Sequence, residues 1–181
     1  MSREFGTTAW GRDWLRLAEP TSITRADPML PRARSLARAD RVHDLDIASG
    51  HVTAVVDNRE RHRVHITVST WNDAQLARAR SVLAKAPPGE DLPDSLHTAL
   101  RDAGQNLAPN PASLTTTCSC QSRKNPCRHL LATYFELARR LDERPRLALV
   151  LHGLTAISPN TARIPLSLID PTSFYGPLRS A

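Results

Sequence analysis

Apolar residues recur along this chain in two rhythms, and the rhythm changes where turn-forming residues fall. Thr8 is placed to cap a helix that carries Trp10, Trp14 and Leu17 on one face before Pro20 stops it. Burial tendencies make those tryptophans core or docking residues rather than a base-stacking platform. Thr21 to Pro28 reads as a loop, and Pro31 opens a second short helix with Leu30, Ala33, Leu36 and Ala37 facing inward. The period then drops to two. Arg41 to Ile47 predicts a strand, Ser49-Gly50 a turn, and His51 to Asp57 the hairpin partner, in which Val52, Ala54 and Val56 alternate. Val64, Ile66 and Val68 alternate with Arg63, His65 and Thr67 in a third strand, giving a small antiparallel sheet with one apolar face.

The helical rhythm returns at Asp73, which starts a helix through Leu76, Ala79, Val82 and Leu83 that Pro87-Pro88-Gly89 ends. Pro93 to Ala103 predicts another, closed by Gly104. Asn106 to Pro111 turns the chain into a threonine-rich segment, Thr115 to Cys120, which favours extended backbone. Asn125-Pro126 then reads as a helix start, with Asn125 at the N-cap and Pro126 at the first helical position. In that helix Leu130, Tyr134, Leu137 and Leu141 form an apolar stripe that Leu131, Phe135 and Ala138 broaden. Arg128, Thr133, Glu136, Arg139 and Arg140 occupy the rest, with Glu136 and Arg140 spaced for an i,i+4 ion pair worth a few tenths of a kcal/mol. Pro145 opens a short helix of Leu147, Ala148, Val150 and Leu151 reaching Gly153, and Ser158 to Ala181 is proline-punctuated without a clear period.

Length and composition narrow the class. A chain of 181 residues with 40% hydrophobic content suits one domain, or one domain with a small appended module, and its 14 prolines predict several irregular connections. No apolar stretch of signal-peptide type follows Met1-Ser2-Arg3-Glu4, and the longest aliphatic run, Leu147 to Leu151, is too short to span a bilayer. A cytoplasmic protein without a membrane partner is expected.

The net charge of +6 is carried almost wholly by arginine, since Lys85 and Lys124 are the only lysines. Basic balance permits nucleic-acid binding, and arginine-rich solvated surface is the plain alternative. Position says more than the total. Arg25, Arg32, Arg34, Arg38 and Arg41 fall close together, and Arg123, Lys124, Arg128, Arg139, Arg140, Arg144 and Arg146 surround the chain's three cysteines.

Those cysteines, Cys118, Cys120 and Cys127, make with His129 the run C-x-C-x6-C-x-H. Three thiolates and an imidazole are a standard ligand set for tetrahedral structural zinc. Residues two apart on a strand point to one face, so Cys118 and Cys120 can grip a single ion. Cys127 and His129 fall in the first turn of the following helix, where the positive end of the macrodipole favours thiolate. A Cys118 to Cys120 disulfide would close a strained ring and leave an odd thiol. A catalytic zinc would keep an open coordination position, and the zinc deaminase pattern of H-x-E with P-C-x-x-C is absent. His43, His51, His62 and His65 lie on the predicted strands without a zinc-ligand spacing and read as surface histidines. One Zn2+ per chain on Cys118, Cys120, Cys127 and His129 is the expectation.

Thr117-Cys118-Ser119-Cys120 followed by Asn125-Pro126-Cys127-Arg128-His129 and an apolar helix resembles a SWIM-type zinc finger, whose pattern is C-x-C, a variable spacer, then C-x-H. The likeness is to the bacterial proteins with a C-S-C-P-D...P-C-K-H core, although Gln121-Ser122 stand where those carry P-D and Arg128 where they carry Lys. Arg34-Ser35-Leu36-Ala37-Arg38 with Arg41-Val42, Gly50-His51-Val52-Thr53-Ala54, Gly104 with Leu107 and Pro109, and Phe174-Tyr175 extend the resemblance over most of the chain. It departs at Asp57-Asn58-Arg59, where the family tends to a G-S-R type turn, and at Leu36, where an aromatic is usual.

The fold class expected is α+β: a small antiparallel sheet with several helices, plus a C-terminal zinc-binding strand-turn-helix. Residues 1–110 form the N-terminal α+β region, 111–154 the finger and the short helix after it, and 155–181 a tail. The resemblance implies a DNA-binding or protein-interaction module that accompanies a helicase-like translocase of the chromatin-remodeller superfamily. No Walker A, G-x-S-x-G, H-E-x-x-H or Gly-rich phosphate loop occurs, so a non-enzymatic accessory protein without a small-molecule substrate is expected. Nucleic-acid phosphates, those of DNA first, would meet Arg123, Lys124 and Arg128 of the finger and Arg32, Arg34 and Arg38 of the second helix. The alternative is a protein-protein adaptor in which zinc is only structural.

Overall fold

The computed structural model describes residues 4–19, 27–85 and 92–154. The expected stops at Pro20 and Pro87-Pro88-Gly89, most of the Thr21 to Pro28 loop, and the tail from residue 155 lie outside them. Among the described residues six α-helices accompany one sheet: α1 (Ala9–Ala18), α2 (Leu30–Arg38), β1 (Val42–Ala48), β2 (His51–Asn58), β3 (Glu60–Thr67), α3 (Asp73–Leu83), α4 (Asp94–Asp102), β4 (Thr115–Cys118), α5 (Arg128–Glu143) and α6 (Arg146–Leu151). The class is α+β, and the sheet is antiparallel in the order β1-β2-β3-β4.

The alternating positions sort the two faces of the sheet. Val42, Val52, Ala54, Val56, Val64 and Ile66 are buried, and the register sets Val42 opposite Val56, Val52 opposite Ile66 and Ala54 opposite Val64. The turn between β1 and β2 uses Gly50 at φ +77, a left-handed conformation that glycine takes without a side-chain clash. A β-bulge between His43 and Asp46 places Asp44 at φ +50 and interrupts β1.

Helix α5 packs against α1, α2, α6 and every strand. Every residue from His129 to Ala138 is buried, so the amphipathic helix expected from the sequence is enclosed on all sides. Two polar residues that lie off the expected apolar stripe, Thr133 and Glu136, are interior. Thr133 donates its hydroxyl to the His129 carbonyl at 3.0 Å. Glu136, 1% exposed, accepts from Arg140 Nε at 3.2 Å and from Arg139 Nε at 3.0 Å, and a second Arg139 contact binds the same carboxylate. The Glu136 pair is therefore a buried network, because the length of an arginine side chain lets both cations reach inward from the rim of the helix.

Trp10 and Trp14, 1% and 0% exposed, belong to the core, and the Thr8 side chain caps α1 as its position predicts, accepting from the Gly11 N–H at 3.3 Å. Helix α1 reaches α4 through His97, whose Nε2 lies 2.8 Å from Asp13 Oδ2 while Trp10 stands edge-on to the imidazole. Asn72 and Gln75 form a reciprocal capping box at the start of α3. No described helix is long and apolar enough to cross a membrane.

Candidate metal centre

The finger is assembled from the sheet edge and the first turn of the enclosed helix. Strand β4 pairs with β3 through Val64 opposite Cys118 and His65 opposite Thr117, so Cys118 shares the inner face with buried Val64. Pairing runs one residue past the strand, because the Ser119 N–H donates to the Arg63 carbonyl at 3.0 Å and the Arg63 N–H donates to Ser119 Oγ at 3.0 Å. Cys120 follows on the same face as Cys118, two residues on.

The helix start differs from the sequence expectation. Cys127 is the N-cap of α5: its backbone is extended (φ −82, ψ 166) and its Sγ accepts from the Leu130 N–H at 3.5 Å. Asn125 and Pro126 therefore precede the helix, and the Asn125-Pro126 peptide bond is cis. An extended residue between Pro126 and the helix excludes Pro126 from the first helical position. The sulfur supplies the acceptor that an Asn, Ser or Asp side chain ordinarily gives. His129 sits in the first turn, as its spacing from Cys127 requires.

Cys118, Cys120, Cys127 and His129 converge, with their donor atoms all within 4.8 Å of one another. Cys118 Sγ lies 3.8 Å from His129 Nδ1, close to the roughly 3.6 Å edge of a tetrahedron built on Zn–S of about 2.3 Å and Zn–N of about 2.0 Å. Burial pushes the Cys118 thiol up to about 12 and raises that of Cys127, while burial, His62 and Arg128 push His129 down to about 4. The imidazole is thus neutral at physiological pH, the form that can ligate. Three thiols packed together against an imidazole fit a zinc site in donor type, number and spacing, and a bound dication would supply the charge that lets the thiols ionise. A cleft of about 290 Å3 lined by Thr116, Cys118, Cys120, Lys124 and Leu130 among others opens onto the cluster.

Two residues to which sequence reasoning assigned no role at the metal site touch His129: Asn58, named only as part of a turn, and His62, read as a surface histidine but half-buried here. Asn58, the last residue of β2, places its side-chain amide 3.1 Å from His129 Nε2. His62, across the hairpin on β3, stacks on the His129 ring with centroids 4.1 Å apart and planes 23° apart. Neither position carries a ligand spacing; only the register of the β2-β3 hairpin above α5 reveals them. The other strand histidines face elsewhere. His51 and His65 stack on each other at 6.0 Å, and His43 Nε2 reaches Asp57 Oδ2 at 3.0 Å.

The cations divide into two groups. Arg123 and Lys124 are exposed on the loop between the ligand pairs, Arg128 is half-buried beside His129, and none of the three forms an ion pair with a described residue. Arg139 and Arg140 are committed to Glu136, and Arg139 also to Glu143. On α2, Arg32 and Arg38 are exposed, whereas Arg34 pairs with Glu19 and lies over the Phe135 ring at 5.4 Å.

Residues 104–137 match the SWIM zinc finger family. Over 156 residues the chain is 31% identical to uncharacterized protein Rv2102 of Mycobacterium tuberculosis (strain ATCC 25618 / H37Rv), an alignment that covers 81% of this chain and 55% of that protein. The chain thus spans about half the length of this curated relative. No solved structure matches it.

Proposed function

We propose, from the match of residues 104–137 to the SWIM zinc finger family and the likeness to a mycobacterial protein, that this chain is a non-enzymatic accessory protein that binds one Zn2+ and contacts nucleic-acid phosphates without reading sequence. The observation that carries the reading is the state of the cations at the finger. Arg123 and Lys124 project from the loop between the two ligand pairs, Arg128 opens the helix that holds the other pair, and no described carboxylate neutralises them. Three thiolates and a neutral imidazole around Zn2+ leave a formal charge of minus one, which Arg128 beside His129 offsets. The loop cations then remain available to an external anion. Arginine and lysine contacts to phosphate position a protein on a duplex and carry no sequence code.

The chemistry favours phosphate over bases. Among the described residues Trp10, Trp14, Trp71, Tyr134 and Phe135 are buried, so they offer no platform for stacking bases. A helicase-like translocase is the partner class that the family resemblance brings, and the accessory role places this chain beside such a motor as its nucleic-acid contact.

Fluorescence anisotropy of zinc-loaded protein on random-sequence duplex and single strand, from low to moderate salt, tests the reading. Affinity is expected to fall steeply with salt. Replacing Arg123, Lys124 and Arg128 together with Gln is expected to weaken binding to every sequence alike and to reduce the log-log slope by up to about 2.7, at about 0.9 per phosphate lost. Wild-type protein that binds neither form at low salt would transfer the finger to the protein-adaptor reading.

A further inference from the structure

The histidine of the finger is gripped from outside the finger. His129 presents one ring nitrogen, Nδ1, to Cys118 Sγ at 3.8 Å and the other, Nε2, to Asn58 Nδ2 at 3.1 Å. Its face lies against His62 with the ring centroids 4.1 Å apart. Edge and face are therefore both held by the β2-β3 hairpin, 71 residues earlier in the chain in the case of Asn58. The hairpin is built to bring Asn58 there. Asn58 stands opposite Glu60 with Arg59 alone between them at φ +61, and alternation along β2 puts Asn58 on the same inner face as buried Ala54 and Val56.

The chemistry of a ligating imidazole decides what Asn58 must do. A ring nitrogen that binds a metal gives up its proton position, so the proton sits on the other nitrogen and needs an acceptor. Nδ1 is the nitrogen that faces the sulfurs, so Nε2 carries the proton, and the neighbour at 3.1 Å must offer oxygen. The atom placed there is Nδ2, a donor, and a half-turn of the carboxamide exchanges it for Oδ1, the acceptor that an Nε2–H requires. We propose that Asn58 is the outer-sphere positioning residue of the metal site: its Oδ1 accepts the His129 Nε2–H, fixing the tautomer that ligates through Nδ1, while His62 fixes the plane of the ring. The proposal rests on the zinc reading of the finger, and it makes the N-terminal hairpin part of the metal site.

The test measures zinc affinity of the full chain by competition with a chromophoric chelator for wild type, Asn58→Ala and Asn58→Asp. Loss of an outer-sphere partner typically lowers metal affinity about 10- to 100-fold, and that loss is expected for Asn58→Ala. Asn58→Asp keeps the acceptor and is expected to stay within about threefold of wild type, which separates hydrogen bonding from a folding defect. Long-range 1H–15N spectra of the zinc-loaded wild type are expected to show the His129 proton on Nε2. An Asn58→Ala affinity equal to wild type, an Asn58→Asp affinity as low as that of Asn58→Ala, or metal found on Nε2 would each overturn the assignment while leaving the zinc site standing. Wild-type protein that takes up no zinc would take down both.

Discussion

Thr8 and Asp142 hold two distant stretches of the chain together: Asp142 Oδ1 accepts from the Thr8 backbone N–H at 2.9 Å and from its hydroxyl at 2.7 Å. The other carboxylate oxygen accepts from the N–H groups of Gly6 at 2.7 Å and Thr7 at 3.0 Å. A single side chain from the last turn of α5 thus satisfies the donors that lead into α1, and the negative charge sits where the positive end of the α1 macrodipole is felt. Gly11 is the condition for this closeness. A Cβ there would lie 2.2 Å from Asp142 Oδ1 and 2.6 Å from the Ala138 carbonyl oxygen.

Asp142→Ala is expected to destabilise the fold by about 3 kcal/mol, the loss of charge-assisted bonds from several backbone donors. Gly11→Ala is expected to cost at least about 2 kcal/mol through overpacking. The two should couple, because removing the Asp142 side chain relieves part of the Gly11→Ala clash. Urea denaturation of the singles and the double checks this; strict additivity would contradict the geometry.

Zinc removal is expected to act locally. Metal analysis by mass spectrometry should find one zinc per chain, and added zinc should raise the melting temperature in proportion to its binding. Chelation or Cys127→Ala should free the segment from Thr115 to Cys127 and the first turn of α5. The rest of α5 is enclosed by α1, α2 and the sheet and should keep its helix. Far-UV circular dichroism that collapsed on chelation would contradict this.

Glu136 makes a second demand on stability. Its carboxylate is buried and bound by Arg139 and Arg140, and Glu136 holds the Arg139 guanidinium well above its ordinary pKa. Arg139→Ala leaves a buried charge with one partner and is expected to cost roughly 3 kcal/mol. Arg139→Ala combined with Glu136→Leu should recover much of that loss, since no unpaired charge remains. Thermal denaturation of the single and double variants decides it.

The His43 and Asp57 pair predicts a pH window. The hydrogen bond to Asp57 raises the pKa of His43, and the same bond lowers that of Asp57. The raised histidine contributes stability that is complete below its unfolded value near 6.5 and is lost as pH rises through its folded value. The lowered carboxyl contributes stability present above its unfolded value near 3.9 and lost as pH falls through its folded value. The pair should therefore stabilise most between those limits, in mildly acidic solution. His43→Gln should flatten stability against pH on the alkaline side of that window, as followed by denaturant midpoints.

What the sequence made legible was local. The two-residue period of Val52, Ala54 and Val56 and of Val64 and Ile66 placed three strands, and the stripe from Leu130 to Leu141 placed the long helix. The four candidate ligands were readable because C-x-C and C-x-H bring donors together over short spans, and the structure brings all four to one place. What escaped depended on distant parts meeting. Thr115, Thr116 and Thr117 have no apolar alternation to announce that β4 pairs with β3. The Cys127 cap was hidden because thiols are not ordinary capping residues. Asn58 and His62 were hidden because their partner is set by hairpin register, and buried Glu136 because helical spacing alone does not tell which faces are covered.

Two of the candidate ligands lie on or just past the edge strand β4 and two at the start of the enclosed helix α5, and this division gives the chain two depths of opening. Without metal, the amides of Thr115 to Cys118 are expected to exchange their hydrogens with solvent through a small local excursion of the sheet edge. Those of Leu131 to Ala138, buried on every side, are expected to wait for global unfolding. A metal bridging the two sets would draw the exposed edge and the enclosed helix toward a common clock. It would slow the edge to the pace of the core while leaving the core at its own.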